Sequence, residues 1–317
     1  MNIGLDIMGG DFAPKQTLKG VVLTLNELSD KDKLFLFGQD DIIVEYLSQQ
    51  KICFDRVEVI NCSQIIEMGD EPIKAIKEKR DSSIVRGFEY LKNELIDSFV
   101  SAGNTGAMMA GATQIIGVGK GVIRPGISSY YPNNLGHNNL LLDVGLNPDT
   151  KPEVLVQYAQ MGQLFAKHVM KIDKPKVGLL NIGSEKSKGT ANTKLVYNLL
   201  EADNTINFIG NIEGGNIYRA DMVDVVVCNG FTGNVVLKQA ESFYKILNER
   251  HMSDSYFENY NYENYGGTPI LGIPKPVIVG HGVSSDIAIK NMILLSKKLI
   301  ESNIAEIIIK HFSYGTN

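Results

Sequence analysis

The stretch that decides the fold is DSFVSAGNTGAMMAGAT, residues 97–113. Residues 97–100 predict the end of a buried strand, and the chain from Thr105 onward can be helical. Ser101 to Asn104 then form a tight strand-to-helix turn. Such a turn points the unpaired N–H groups at the start of a helix outward, where an anion can bind. The alternative is an ordinary turn in which Asn104 or Thr105 only caps the helix.

The same alternation of short apolar runs and helical patterns fills the rest of the chain. The apolar runs lie near residues 3, 33, 56, 98, 140, 176, 206, 223 and 276, and candidate helices span residues 14–28, 82–93, 153–170, 191–202, 234–249 and 285–301. This order predicts an α/β protein with a mostly parallel, doubly wound sheet that is covered on both faces. The 317 residues are expected to form a single α/β catalytic unit or two intimately joined lobes with a cleft between them.

Composition excludes several classes of protein. The chain has 44% hydrophobic and 21% charged residues and no apolar run of membrane-spanning length, and its first residues lack a signal-peptide pattern, so we expect a cytosolic globular protein. The net charge of −5 argues against nucleic-acid binding. The three cysteines and five histidines show no metal-ligand spacing, so no metal site is predicted.

Polar, glycine-rich turns follow six of the apolar runs. They read DIMGGD, SAGNTG, DVGLN, NIGSEKSKG, CNGFTGN and GHGVSSD. Because ligands bind outside the carboxyl ends of parallel strands, we expect these turns to converge on one edge of the sheet as a binding site. Two nucleotide motifs are rejected: GSEKSKGT at 183–190 has its lysine before the glycine, and GVGKG at 117–121 lacks the dinucleotide spacing.

Taken together, these turns resemble the bacterial phosphate acyltransferases of the PlsX type. The matching pieces, in family order, are LDIMGGDFAP (5–14), DEPIKAIKEKRDSSIVRG (70–87), SAGNTGAMMAGAT (101–113), LLLDVGLN (140–147), KPEVLVQYAQMG (151–162), VGLLNIGSEKSKG (177–189), NFIGNIEG (207–214), VVVCNGFTGNVVLK (225–238), and YGGTPILGI with VIVGHGVSS near 265–285. Three features depart from the family pattern: Asn229 replaces an aspartate, the 183–189 turn is less acidic, and the segment between FTGN and YGG is short.

The resemblance implies an enzyme that transfers a fatty acyl group from acyl carrier protein to inorganic phosphate, at the first committed step of phospholipid synthesis. It implies a homodimer with a fold similar to that of isocitrate and isopropylmalate dehydrogenases and of phosphotransacetylase, and no cofactor. The acyl phosphate would pass to a membrane glycerol-3-phosphate acyltransferase. Whether the shortened 235–265 segment keeps a peripheral membrane contact stays open.

The chemistry of such a transfer requires positioning more than a strong base. Phosphate is already an anionic nucleophile at neutral pH, and a thiolate leaves readily. The remaining tasks are to hold phosphate beside the thioester carbonyl and to stabilise the tetrahedral oxyanion. Glycine-rich turns supply backbone N–H groups, and Asn and Thr side chains supply neutral donors.

The candidate residues follow from these tasks. For the chemical step we predict Asn104, Thr105, Lys188, Asn229 and His281, with His281 as a proton donor to the leaving thiolate. For binding of phosphate and the acyl thioester we predict Asp6, Gly9, Gly10, Asp11, Ser101, Gly103, Gly106, Asp143, Lys151, Asn181, Gly183, Gly230, Thr232, Gly233 and Asn234. The alternatives are that the polar turn residues only cap helices, that the histidine is structural, and that the lysines are simply exposed to solvent.

Two further segments suggest surfaces. The run KAIKEKR contains Lys74, Lys77, Lys79 and Arg80, which either form a solvated helix face or steer the acidic carrier protein. The tyrosine-rich residues 255–267 are expected to form a loop at the dimer edge, with an interfacial membrane contact as the alternative.

Three other functions stay open at this level. The first is a coenzyme A phosphotransacetylase for short acyl groups on the same architecture. The second is a nicotinamide-dependent decarboxylating dehydrogenase, which is disfavoured because no set of metal-binding carboxylates is seen. The third is a dimeric scaffold without activity, which would leave the six turns unexplained.

Overall fold

The computed structural model describes residues 1–252 and 254–314. In them the strands are β1 (Asn2–Asp6), β2 (Lys33–Gly38), β3 (Val57–Asn61), β4 (Ser98–Ser101), β5 (Gly126–Pro132), β6 (Asn138–Leu142), β7 (Val177–Asn181), β8 (Phe208–Glu213), β9 (Val225–Val227), β10 (Thr268–Leu271) and β11 (Val277–Val279). The α-helices are α1 (Lys15–Leu25), α2 (Asp40–Gln49), α3 (Pro72–Glu78), α4 (Ser83–Lys92), α5 (Thr105–Gly111), α6 (Pro152–His168), α7 (Ala191–Ala202), α8 (Gly230–Glu249), α9 (Asp286–Ser302) and α10 (Ile304–Tyr314). The predicted α/β class is confirmed.

The chain divides into two compact units. The first contains Met1–Gly119 and Tyr262–Glu306, and the second contains Lys120–Asn261 and the residues from Ile307 onward. Neither unit is continuous in sequence, because the chain enters the second unit after β4 and α5 and returns to the first for β10, β11 and α9.

The first unit has a sheet in the order β3-β2-β1-β4-β11-β10. Its strands are parallel except β10, which runs antiparallel to β11. The chain moves from β1 to β2 and β3 on one side, and β4 lies on the other side of β1. The carboxyl ends of β1 and β4 therefore border a topological switch point, where ligands bind in open α/β sheets.

The second unit has a sheet in the order β5-β6-β9-β7-β8. Strands β6, β9, β7 and β8 are parallel, and β5 runs antiparallel to β6. Strand β9 is last in sequence but lies between β6 and β7, so the turns that follow β6 and β9 are neighbours.

The elements form where apolar periodicity and capping residues agree. Strand β2 is buried from Leu34 to Gly38, as expected for a parallel strand covered on both faces. Ser82 is the N-cap of helix α4 and its side chain accepts the Val85 N–H, and Ser285 caps α9 by accepting the Ala288 N–H. The predicted helix at residues 191–202 is found with those bounds, and the other five predicted helices are present with bounds shifted by one to four residues.

Sequence reasoning missed the two antiparallel strands β5 and β10 and the helices α2 and α10. Strand β5 reads GISSYYP and has half-buried and buried residues without strict alternation. Strand β10 is only four residues long and contains Pro269. Both strands form because a neighbouring strand supplies hydrogen-bond partners, which local composition does not reveal.

Candidate active site

The first candidate cluster lies where β1 and β4 end beside each other. We define the Asp6 cluster as Asp6, Gly9, Ser101 and Gly103. Asp6 Oδ2 accepts a 2.6 Å hydrogen bond from the Ser101 hydroxyl, and its Oδ1 accepts the Met8 N–H at 3.0 Å. Ser101 Oγ in turn accepts the Gly103 N–H at 2.9 Å. One carboxylate therefore joins the turn after β1 to the turn after β4.

Burial dominates the electrostatics of this carboxylate. Asp6 is 1% exposed, and the loss of solvent raises its pKa. Hydrogen bonds that favour the ionised form oppose the rise, and they come from Ser101, Ser83, Met8 and Gly9. Because its oxygens accept hydrogen bonds from Ser101 and Met8, the Asp6 carboxylate stabilises the turns after β1 and β4.

The glycines of the turn after β1 are required by close approach. A Cβ on Gly9 would lie 2.3 Å from Asp6 Oδ2 and 2.7 Å from the Gly103 nitrogen. Gly10 has a φ of +109°, which side chains rarely adopt. The packing of the two turns therefore requires glycine at Gly9, and the role of Gly9 and Gly10 in substrate binding stays a prediction.

A third turn of the first unit follows β11 and carries His281. The Asp11 N–H donates to the Gly282 carbonyl at 2.7 Å. The His281 ring is half-buried with its centroid 4.6 Å from that of Tyr262, and its carbonyl accepts the Ser284 hydroxyl at 2.6 Å. Asp11 and His281 thus lie at the same edge of the sheet as the Asp6 cluster.

Asn104 is the N-cap of α5 and also holds a loop. Its Oδ1 accepts the Ala107 N–H at 2.9 Å. Its Nδ2 lies 3.1 to 3.2 Å from the carbonyls of Glu67, Met68 and Asp70. The side chain is 4% exposed. The geometry favours the capping alternative for Asn104, and its role in the chemical step stays a prediction.

The next two residues of this turn differ in exposure. Thr105 is exposed, and Gly106 is half-buried against α3, where a Cβ would lie 2.4 Å from Pro72 Cγ. Thr105 therefore offers a hydroxyl to solvent, whereas Gly106 permits the contact between α5 and α3.

The second candidate cluster lies after β6 and β9 in the second unit. We define the Asp143 cluster as Asp143, Asn147, Gly230 and Gly233. Asp143 is fully buried. Its Oδ1 accepts the Ile127 N–H at 3.0 Å, and its Oδ2 accepts the Asn147 N–H at 2.7 Å. A Cβ on Gly233 would lie 1.9 Å from the Asp143 carbonyl oxygen, so α8 begins in direct contact with this turn.

Sequence reasoning missed the residues that surround Asp143. Asn147 Nδ2 donates to Tyr158 Oη at 2.7 Å and to the Pro125 carbonyl at 2.8 Å. Arg124 Nη1 lies 3.4 Å from Asn147 Oδ1 and is the cation at this edge. Asn147 belongs to the DVGLN turn and could have been found there. Tyr158 is buried on α6, and only the tertiary structure brings it to the turn.

The start of α8 is built as the sequence suggests. Asn229 is its N-cap and accepts the Thr232 N–H at 2.8 Å. The Gly230 N–H donates to the Asn147 carbonyl at 2.8 Å, and Asn234 Nδ2 donates to the Val144 carbonyl at 3.1 Å. An aspartate could accept the same bond as Asn229, so the departure from the family pattern leaves the cap intact.

The third turn of the second unit follows β7. Asn181 Nδ2 donates to Asn211 Oδ1 at 3.1 Å and reaches the Lys188 carbonyl at 3.4 Å. Gly183 is buried, and a Cβ there would lie 2.9 Å from Lys188 Cγ. The six predicted turns are therefore divided between the units, three in each.

The predicted cations differ in what they contact. Lys151 is exposed at the N-cap of α6, and Lys188 is exposed in its turn. Lys79 forms an ion pair with Asp70, and Arg80 forms one with Glu89 at 3.2 Å. Lys74 lies 4.0 Å from Glu78 and is 67% exposed, and Lys77 is exposed. Lys74, Lys77 and Arg80 are exposed, and Lys79 is half-buried.

The cysteines bear on the reaction class. Cys62 and Cys228 are buried. Burial raises the pKa of Cys62 to about 12 and also raises the pKa of Cys228. Neither thiol is therefore ionised near neutral pH, whereas Cys53 is exposed and lies outside both clusters.

The described residues contain neither a metal-binding cluster nor a membrane-spanning helix. Residues 1–252 and 254–314 contain no group of three or more His, Cys, Asp or Glu side chains arranged to hold a metal ion. Within the same ranges no helix is long and apolar enough to span a bilayer.

The fold is that of the phosphotransacetylases. The EutD phosphotransacetylase from Staphylococcus aureus superimposes with a TM-score of 0.64 at 16% identity, covering 95% of this chain and 94% of that chain. A phosphotransacetylase from Streptococcus pyogenes gives a TM-score of 0.63 at 18% identity, covering 94% of each chain. At these identities the likeness defines the fold class alone.

Sequence comparison defines the family. Residues 1–307 match the model of the family described as "Fatty acid synthesis protein". The chain is 41% identical to the "Phosphate acyltransferase" of Caldicellulosiruptor saccharolyticus and 39% identical to that of Halothermothrix orenii, over 97% of each chain in both cases. The chain belongs to this family, so the resemblance to the PlsX type is confirmed. It is an acyltransferase of fatty acid synthesis.

Proposed function

We propose that this acyltransferase moves a long-chain fatty acyl group from acyl carrier protein to inorganic phosphate, giving acyl phosphate for phosphatidic acid synthesis. The observation that carries the proposal is the near full-length similarity to proteins named phosphate acyltransferase. Phosphate is then the acyl acceptor, and the donor is proposed from the resemblance of the motifs to the PlsX type.

The first step of the mechanism is direct attack by a phosphate oxygen on the thioester carbonyl carbon. Both buried cysteines have raised pKa values, which supports direct attack over an acyl-cysteine intermediate. The C–O bond forms as the carbonyl becomes a tetrahedral oxyanion. The C–S bond then breaks, and the carrier leaves as a thiolate that takes a proton.

The chain contributes preorganised turns to this reaction. The Asp6 and Asp143 carboxylates fix their turns through buried hydrogen bonds, so neither turn needs to reorganise when a substrate arrives. The exposed Thr105 and the half-buried Thr232 supply hydroxyl donors at turn ends, and Arg124, Lys151 and Lys188 supply positive charge. We propose His281 as the proton donor to the thiolate.

The partners follow from the same proposal. Acyl carrier protein would dock on the exposed Lys74 and Lys77 of α3. The active form would be a homodimer, and the acyl phosphate would be consumed by a membrane glycerol-3-phosphate acyltransferase. The proposed location is the cytoplasm, with a peripheral contact with the membrane.

The docking proposal is tested by charge reversal. In the double variant Lys74→Glu/Lys77→Glu we expect the KM for palmitoyl-carrier protein to rise about tenfold at low salt, and the difference from wild type to shrink as salt screens the charges. The matched control is Lys245→Glu on α8, where the lysine is 77% exposed, compared with 67% for Lys74, and also lies 4.0 Å from a glutamate one turn away. An unchanged KM at every salt concentration would contradict docking at α3.

The proposed reaction is tested with purified protein, palmitoyl-carrier protein and inorganic phosphate, with palmitoyl-coenzyme A in a parallel reaction. Acyl-phosphate formation from the carrier-protein donor is the expected result. Turnover with coenzyme A alone would indicate a coenzyme A phosphotransacylase instead. Absence of turnover with either donor, from protein shown to be folded by circular dichroism, would overturn the proposal.

A further inference from the structure

An apolar pocket in the second unit shares no lining residue with the Asp143 cluster. It is formed by α8 and the segment around residues 256–260, and its volume is about 450 Å³. Its aromatic lining residues are Tyr218, Phe243, Tyr244, Tyr256, Phe257 and Tyr260. Pockets of this size and character bind small apolar ligands.

The tyrosine hydroxyls of this pocket are bonded to protein groups. Tyr244 Oη donates to Glu258 Oε2 at 2.9 Å, and the hydroxyls of Tyr256 and Tyr260 lie 3.2 Å apart. The Tyr218 hydroxyl accepts that of Tyr131 at 2.7 Å. The pocket therefore offers ring carbons and aliphatic groups, and its lining includes no charged side chain among the described residues. A hydrocarbon chain suits such a surface better than a polar ligand.

Helix α8 connects this pocket with the Asp143 cluster. Its first turn, Gly230 to Gly233, contacts Asp143, and Ala240 and Leu247 line the pocket. From Thr232 to Ala240 the helix rises about 12 Å, and from Thr232 to Leu247 about 22 Å. A chain whose reacting end lies at the start of α8 would have to be long to fill the pocket.

Exposed apolar side chains lie on α8 at both ends of that distance. Phe231 is 66% exposed, Val235 52%, Phe243 59% and Ile246 49%. With 3.6 residues per turn these four side chains lie within about a third of the helix circumference. Phe231 and Val235 lie near the start of α8, and Phe243 and Ile246 line the pocket, with the exposed Gln239 on the same face between the two pairs. Apolar surface is therefore present both beside the Asp143 cluster and at the pocket.

We infer that this pocket binds the distal part of the long acyl chain of the substrate. The length of α8 then sets the distance between the reacting carbonyl and the end of the chain. The inference rests on the proposed function for the identity of the chain. Each methylene that enters the pocket is removed from water, so long chains gain affinity that short chains cannot.

The test measures binding without transfer. Radiolabelled palmitate, below its micelle concentration, is equilibrated with wild type and with Leu247→Trp, which fills the pocket. The matched control is Leu195→Trp on α7, where the leucine is 56% exposed and distant from the lining. We expect palmitate to bind wild type and the control equally, and Leu247→Trp at least tenfold more weakly.

A second variant keeps the test valid if Leu247→Trp does not fold. Phe243→Ser changes an exposed side chain, so folding should survive, and we expect it also to weaken palmitate binding tenfold. With transfer assays, both variants should lose rate with palmitoyl-carrier protein while keeping the rate with butyryl-carrier protein. Absence of transfer with every donor, together with the expected palmitate binding, would reject the proposed function and leave the pocket as a fatty-acid site.

Other results would overturn the inference. Palmitate binding that is unchanged in both variants would do so, and so would no binding to wild type. If Phe243→Ser dissociated a dimer or abolished flotation with phosphatidylglycerol vesicles while palmitate still bound, the pocket would be a subunit or membrane contact instead.

Discussion

At the scale of single residues, the candidate site depends on two buried carboxylates and on neighbouring glycines that have no room for a side chain. Asp6 and Asp143 are both buried, and each accepts hydrogen bonds from backbone N–H groups of its own turn. Their roles are the same although they lie in different units. The glycines beside them are required because a side chain would occupy the space that the carboxylate or backbone already fills.

Gly9→Ala should disrupt the Asp6 cluster. The new Cβ would lie 2.3 Å from Asp6 Oδ2 and 2.7 Å from the Gly103 nitrogen, so the turn must shift. We expect the free energy of unfolding to fall by about 2 kcal/mol and acyl-phosphate formation to fall at least tenfold. The control is Gly69→Ala, because a Cβ at Gly69 meets no atom within 4 Å. Equal activity in both variants would show that this turn is not part of the site.

Asn229 tests whether the cap requires a charge. Since Asn and Asp both accept the Thr232 N–H, Asn229→Asp should leave stability unchanged, whereas Asn229→Ala should lower the free energy of unfolding by about 1 kcal/mol. Chemical denaturation of the two variants measures this. A large loss of stability in Asn229→Asp would mean that the turn disfavours a carboxylate, and the cap argument would fail.

At the scale of elements, the structure shows which residues hold helix α3, with its basic side chains, and the loop before it in place. Helix α3 follows a loop at residues 65–71 that Lys79 and Asn104 hold in place. The Lys79 ammonium, paired with Asp70, keeps the pKa of that carboxyl below its usual value. Half of the basic residues predicted to dock a partner thus serve the local structure.

Asn104→Ala should release this loop. The variant loses the α5 cap and the contacts to three loop carbonyls, so we expect amide hydrogen exchange in residues 65–71 to accelerate at least tenfold. The control is Asn93→Ala at the exposed end of α4. Unchanged exchange together with a raised KM for phosphate would instead place Asn104 in direct contact with the substrate.

At the scale of the whole molecule, the division into two units organises the chain. Each unit contains its own set of strands, and in each set three adjacent strands are followed by polar turns. The first unit combines residues 1–119 with residues 262–306, and α1 of the first segment packs on α9 of the second. A contact between distant parts of the chain should therefore control the stability of that unit.

Asp32 provides such a contact. Its carboxylate is 2% exposed and accepts bonds from the Lys297 ammonium and the Ser29 hydroxyl, each at 2.8 Å. These partners outweigh burial and lower its pKa to about 2. A lowered pKa stabilises the folded state above the unfolded pKa near 4 and loses this effect as the pH falls toward 2.

Asp32→Asn should therefore lower the free energy of unfolding by about 1 to 2 kcal/mol at neutral pH, because the ion pair is partly screened by solvent. The difference from wild type should vanish by about pH 2. Thermal unfolding from pH 7 to pH 2 measures it. A difference that is independent of pH would show that the packing of the side chain, and not its charge, stabilises the unit.

The sequence by itself determined the fold class, all nine parallel strands of the described residues, six of the helices and the polar turns at strand ends. It could do so because apolar periodicity, glycine and capping residues act locally. The motifs, which occur in the same order as in the PlsX-type enzymes, also identified the family. Only the tertiary structure decided which turns meet, since Asp6 and Ser101 are 95 residues apart in sequence but 2.6 Å apart in space. It alone placed Arg124 and Tyr158 beside Asn147, joined the Asn104 side chain to the loop at residues 65–71, and formed the aromatic pocket on α8, because each depends on groups from distant elements packing together.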